Sequence, residues 1–115
     1  MALDVGQLAN DMHTAASKVL NTDVSSLRGF SDRQLKAIAQ QAELVATGIA
    51  TGQITSETHE FFLDGLEDMA LSFAKTLRGL VMVTIEKVWN AIVDVLWTAI
   101  SKATGLTLVA PVIHN

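Results

Sequence analysis

Cysteine and tyrosine are missing from this 115-residue sequence, and proline occurs only once. Without cysteine the chain has no disulfide framework, no thiolate zinc site, no iron–sulfur cluster and no thiol nucleophile, so its stability must come from packing or assembly. Charged residues are also scarce, at 17% of the chain against about 25% in typical soluble domains. Lys and Arg are outnumbered by Asp and Glu, 8 to 12. This balance argues against nucleic acid as a partner, since phosphate binding uses clustered cations.

Apolar residues, by contrast, make up 50% of the chain, and the net charge is only −4. Such a composition predicts a folded protein, because disordered chains combine few apolar residues with high net charge. The N-terminal segment contains no Lys or Arg before Lys18 and no continuous apolar run, so no secretory signal is predicted. The missing signal and the missing cysteines together predict a cytoplasmic location.

The apolar residues repeat with the period of a helix, and no strand-like alternation lies between the helical patterns. We therefore predict one all-α domain, a small bundle of three main helices. The first helix is predicted at about 3–20, followed by a loop at 21–30 that carries enough apolar residues to fold back onto the core. Ser31 and Gln34 form a capping-box pattern that starts a second helix at about 31–52, where Gly52 is the predicted stop.

The third pattern runs without proline from about 56 to 104. As one straight helix, its roughly 48 residues would reach about 70 Å, although a chain of this size should have a radius of gyration near 13 Å. Two outcomes follow: the helix bends or breaks near Gly79, or it projects from its own core and another chain covers it. An apolar C-terminal arm at 105–115 completes the chain.

The segment 80–100 carries most of the apolar excess. On a helical projection it presents two apolar sectors and one narrow polar stripe, whereas a surface helix of a monomer needs only one apolar stripe. Exposed, this face would be a sticky patch, so we predict that a homo-oligomer, dimer or higher, completes the bundle. The alternative is a monomer in which the 21–30 loop and the C-terminal arm cover the face. The predicted interface residues are Trp89, Val93, Leu96, Trp97 and Ile100.

Candidate chemistry is sparse. Glu60, Asp64 and Glu67 share one helix face, but no Glu-x-x-His pair accompanies them, so we interpret them as a solvated acidic face instead of a metal site. His13, His59 and His114 are scattered along the chain, and neither a nucleophile elbow nor a glycine-rich phosphate loop occurs. We predict no catalytic residues, no metal and no cofactor.

The leading hypothesis is therefore a non-enzymatic oligomerisation or protein-interaction module with a scaffold, assembly or partner-binding role, acting through the apolar third helix. Another protein is a possible partner besides a second copy. One alternative is a membrane-active protein that releases 80–100 at a bilayer, although Glu86, Lys87 and Asp94 oppose insertion of that segment. Another is a small-ligand binder with a cavity lined by Phe61, Phe62, Met69 and Phe73.

Overall fold

The computed structural model describes residues 3–108, and this part of the chain is helical with no strand. The all-helical prediction is thus confirmed. The three-helix prediction is corrected, because two helices occupy the region of the predicted long third helix. The helices are α1 (Val5–Leu20), a short 3-10 helix (Val24–Ser26), α2 (Asp32–Ala50), α3 (His59–Thr76) and α4 (Met82–Thr104).

The loop after α1 folds back onto the bundle, as its sequence predicts. Asn21 ends α1 in the left-handed conformation, with φ 56°. Three residues later, Val24 is fully buried, and its N–H donates to the Ser17 hydroxyl at 2.9 Å. The side chain of Val24 therefore belongs to the core, and the loop is held against the helix that precedes it.

One of the two hydrogen bonds of the predicted capping box forms at the start of α2. The Ser31 hydroxyl accepts from the Gln34 N–H at 3.2 Å. The Gln34 side chain points elsewhere, since its amide oxygen accepts from the Thr76 hydroxyl of α3 at 3.5 Å. The predicted stop is confirmed: α2 ends at Ala50, and Gly52 adopts φ 81°.

The predicted helix at 56–104 is the main correction. Its first residues form a turn, so α3 begins only at His59. Leu77 ends α3 in an extended conformation, Gly79 takes φ 83°, and α4 begins at Met82. An unbroken helix of about 70 Å would have exceeded the longest dimension of the folded chain, which is 42 Å.

Successive helices run in alternating directions. At one end of the bundle the Arg78 N–H donates to the Arg28 carbonyl at 2.8 Å, which joins the start of α2 to the end of α3. At the other end Leu3 and Ala103 line a common pocket, which places the start of α1 beside the end of α4. Each end of the bundle is thereby built from segments far apart in the sequence.

Both α2 and α4 pack against all three other helices. This arrangement covers the two apolar sectors of α4 within a single chain. The buried residues form one cluster, which contains no polar or charged side chain among residues 3–108. Gly105 ends α4 with φ 78°, and the Leu108 N–H then donates to the Ser101 hydroxyl at 3.1 Å. The rest of the predicted C-terminal arm, 109–115, lies outside the described residues.

Candidate functional site

The five predicted interface residues lie in the core. None of them exposes more than 5% of its surface, and the Trp89 Nε1–H donates to the Glu67 carbonyl of α3 at 3.0 Å. The cover comes from neighbouring helices and not from a second chain, so the apolar excess no longer requires an oligomer. An interface through these side chains would require α4 to leave the core. The five are Trp89, Val93, Leu96, Trp97 and Ile100.

One of the openings on the described surface is a groove between α2 and α3. Phe61 is 76% exposed at its edge and packs against Phe62 in a T-shaped contact with ring centroids 5.3 Å apart. The groove has a volume of about 370 Å³. We call it the α2–α3 groove, and it is lined by Gln41, Phe61, Phe62, Asp64, Gly65 and Asp68.

Glycine keeps this groove open. A Cβ added at Gly65 would meet no atom within 4 Å. On the α2 side Leu44 is 63% exposed, and it shares a helix face with Gln41 because the two are three residues apart. The groove therefore has the exposed Phe61 on its α3 side and Gln41 on its α2 side, and Leu44 is an exposed apolar residue three positions beyond Gln41.

The predicted ligand cavity is divided between core and surface. Phe73 is fully buried and contacts Phe30 edge to face, with centroids 6.0 Å apart. Phe61 and Phe62 line the α2–α3 groove, whereas Met69 and Phe73 are not among its lining residues. Phe62 and Met69 are partly buried against the core that contains Phe73, whereas Phe61 is exposed, so the four residues do not line one cavity.

Two carboxylates of α3, Asp64 and Asp68, line the groove, and Glu60 and Glu67 are nearby acids of the same helix. Partial burial raises the pKa of Glu67 above its usual 4.5, and the nearby charges of Asp64, Asp68 and Glu60 raise it further. No three His, Asp or Glu side chains among residues 3–108 are grouped so that they could hold a metal ion. These acids instead give the groove a negative potential.

We expect Glu67→Gln to stabilise the fold at neutral pH. A raised pKa means that the charged carboxylate is less favourable in the folded chain than in the unfolded one, so its removal should help above the folded pKa and have no effect well below 4.5. The gain should be about 0.5 kcal/mol, as for other surface substitutions. Urea unfolding at several pH values measures it. Asp94→Asn, an exposed acid of α4, is the control, and an equal gain there would contradict this explanation.

A polar contact between His13 and Asp23 holds the loop after α1 against that helix. The Asp23 carboxylate accepts from the Ser25 N–H at 2.9 Å and from its hydroxyl at 2.7 Å, and it lies 2.9 Å from His13 Nε2. These bonds, those from Ser25 first, lower the pKa of Asp23 to about 2. The His13 ring also contacts Phe30 edge to face. The His13 side chain is thus held by Asp23 and Phe30. These contacts account for its position without a bound ligand.

Cations gather where α1 and α3 end and α2 and α4 begin, a region we call the basic end. Seven of the 8 Lys and Arg residues lie in its loops or in the adjoining helical turns, against three carboxylates, Asp23, Asp32 and Glu86. Its formal charge is therefore +4, whereas the remaining residues, nine acids and Lys102, carry −8. The seven cations are Lys18, Arg28, Arg33, Lys36, Lys75, Arg78 and Lys87.

Searches of protein-family models, curated proteins and solved structures found no match to this chain. Within residues 3–108, no helix has both the length and the apolar character to span a bilayer. Two exposed regions of the described chain, the α2–α3 groove and the basic end, combine apolar and charged side chains in ways that suit binding.

Proposed function

We propose that this chain is a non-enzymatic helical module that binds a partner protein through the α2–α3 groove. The observation that carries the proposal is the 76% exposure of Phe61 beside an open groove. Burial of such a side chain contributes about 1.5–3 kcal/mol, and aromatic side chains at a pocket often dominate binding energy.

The shape and charge of the groove favour a particular kind of partner. A channel between two helices fits an amphipathic helix, which lays its apolar face against exposed apolar side chains such as Phe61. Asp64 and Asp68 line the groove, so basic residues beside that apolar face would improve both binding rate and specificity.

A second copy of this chain is a less favourable occupant. A symmetric dimer places the same patch of both copies face to face. Here that pairing would bring Asp64 and Asp68 of one copy against the same carboxylates of the other. The repulsion favours a different chain in the groove.

Two synthetic amphipathic peptides test the proposal. They share one leucine stripe and one length, but Lys flanks the stripe in the first and Glu in the second. Measured by fluorescence anisotropy, the Lys peptide should bind and the Glu peptide should not. Because Phe61 is an anchor, Phe61→Ser should weaken binding by a factor of about 30, the loss of about 2 kcal/mol expected for a hot spot. Val19→Ser, on exposed α1 surface, should leave the affinity unchanged.

Two results would count against this function. Equal affinity of the two peptides would contradict a role for the acidic side chains in binding. Unchanged binding by Phe61→Ser would exclude the groove as the binding site. Light scattering after size-exclusion chromatography measures the molar mass and so detects self-association. We expect the mass of one chain, 12.3 kDa. A dimer that Phe61→Ser separates would place a second copy in the groove instead of a different partner.

A further inference from the structure

Three consecutive apolar residues are exposed at the basic end. Val81, Met82 and Val83 expose 68%, 57% and 53% of their surfaces, at the turn into α4. Successive residues of a helix point about 100° apart, so no single neighbouring helix could cover all three. The three residues lie at the turn into α4, and we call them the apolar tip.

Two arginines lie side by side next to this tip. The Arg78 N–H donates to the Arg28 carbonyl at 2.8 Å, and both side chains are exposed. Two of the three carboxylates of the basic end are bonded to groups other than these arginines, since Asp32 forms a salt bridge with Lys36 and Asp23 is bonded to Ser25 and His13. Two exposed arginines on adjoining segments concentrate positive charge at this end, and an anion bound beside them would be attracted by both.

The other cations of the basic end extend this positive field. Lys75 lies in the last turn of α3, and Lys87 follows Val83 by four residues on the same face of α4. Both are exposed. The apolar tip is therefore flanked by cations on the elements before and after it.

We propose that the basic end docks on an anionic lipid bilayer, with the apolar tip inserted at the headgroup boundary and Arg28 and Arg78 on lipid phosphates. Basic residues around exposed apolar side chains suit such a surface, which supplies both negative charge and an apolar layer. Nucleic acid would match only the charge and leave the tip in water. The α2–α3 groove is at the opposite end of α3, so this inference does not depend on the proposed partner.

The charge separation in the bundle also orients it on such a surface. An anionic bilayer attracts the basic end, with +4, and repels the remainder, with −8. Docking leaves α4 in the core, in contrast to the predicted release of 80–100. The bound molecule therefore keeps its fold and presents the acidic groove toward solvent.

Vesicle flotation of the full chain tests this proposal, with vesicles of phosphatidylcholine alone or mixed with phosphatidylglycerol. The chain should float only with the anionic vesicles, and added salt should weaken binding. The double variant Arg28→Gln, Arg78→Gln should lower the partition constant about 25-fold, at about fivefold for each cation. Val81→Ser with Met82→Ser should lower it by about tenfold or more, because apolar burial is lost.

Matched variants separate this surface from the rest of the molecule. Lys102→Gln removes the one cation outside the basic end, and Leu44→Ser removes an exposed apolar side chain of α2; neither should change vesicle binding. Phe61→Ser should also leave it unchanged, which keeps this test distinct from that of the proposed function. Circular dichroism of every variant verifies the fold, and Lys87→Gln provides a second cation variant within a regular helix.

Three outcomes would overturn the proposal. Equal flotation with both kinds of vesicle would exclude a role for the cations in membrane binding. Unchanged flotation of the Val81→Ser, Met82→Ser variant would exclude insertion of the apolar tip. Absence of flotation, combined with a molar mass that falls when Arg28 and Arg78 are replaced, would assign the basic end to a second copy of the chain.

Discussion

Trp89→Ala should lower the free energy of unfolding by about 3–5 kcal/mol. Trp89 is 5% exposed, and its Nε1–H is bonded to the Glu67 carbonyl, so the change leaves a large cavity between α3 and α4 and removes a hydrogen bond. Small domains unfold with about 5–15 kcal/mol in total, so the loss is a large fraction of the stability. Urea unfolding followed by far-UV circular dichroism measures it.

The same variant separates burial from an interface role. If Trp89 and Trp97 formed an oligomer interface, their replacement by Ala would yield folded protomers of lower mass. Both side chains are in the core, at 5% and 4% exposure. The double variant should therefore lose helicity, and its molar mass should not change from that of an oligomer to that of a protomer. Val83→Ala, at an exposed position of the same helix, should change stability by no more than about 0.5 kcal/mol. A folded Trp89→Ala protein of unchanged stability would contradict the structure.

Much of the fold could be predicted from local patterns. The apolar period and the Ser31 cap identify α2, and Gly52 and Gly105 end helices where their lack of a side chain predicts. Such signals depend on residues close together in the chain. Gly79 marks the position of a break that the sequence allows but does not decide, because a glycine is tolerated inside a helix as well as at its end.

That single break decides the exposure of the Trp residues. With 56–104 as one helix, only two other helices are available to cover α4, and a second chain is the natural completion. Once Gly79 reverses the chain, α3 supplies the missing cover, and Trp89 finds its hydrogen-bond partner on Glu67. The interface prediction thus followed from the helix prediction.

The two candidate surfaces could not be predicted for a related reason. Arg28 and Arg78 are far apart in the sequence and become neighbours only because the end of α3 meets the start of α2. The sequence shows isolated cations, and the alternating helix directions gather them into one field. The α2–α3 groove likewise combines Gln41 with Gly65 across two helices.

Gly29→Ala should be the most disruptive glycine substitution at this end of the bundle. Gly29 adopts φ 87°, and an added Cβ would overlap the Thr76 carbonyl oxygen and lie 2.9 Å from its carbonyl carbon. The left-handed conformation costs an alanine about 1–2 kcal/mol, and the overlap with backbone adds about 1–3 kcal/mol. We expect a total loss of about 2–5 kcal/mol in urea unfolding, by these two effects together.

Gly79→Ala is the matched control, because it separates backbone strain from close approach. Gly79 has nearly the same φ, 83°, but an added Cβ there would meet nothing within 4 Å. It should therefore lose only the conformational part, about 1–2 kcal/mol. Equal losses at the two positions would mean that the Gly29 loop does not rest on the end of α3. Because that contact holds Arg28 beside Arg78, Gly29→Ala should also weaken flotation with anionic vesicles, while Gly79→Ala should weaken it less.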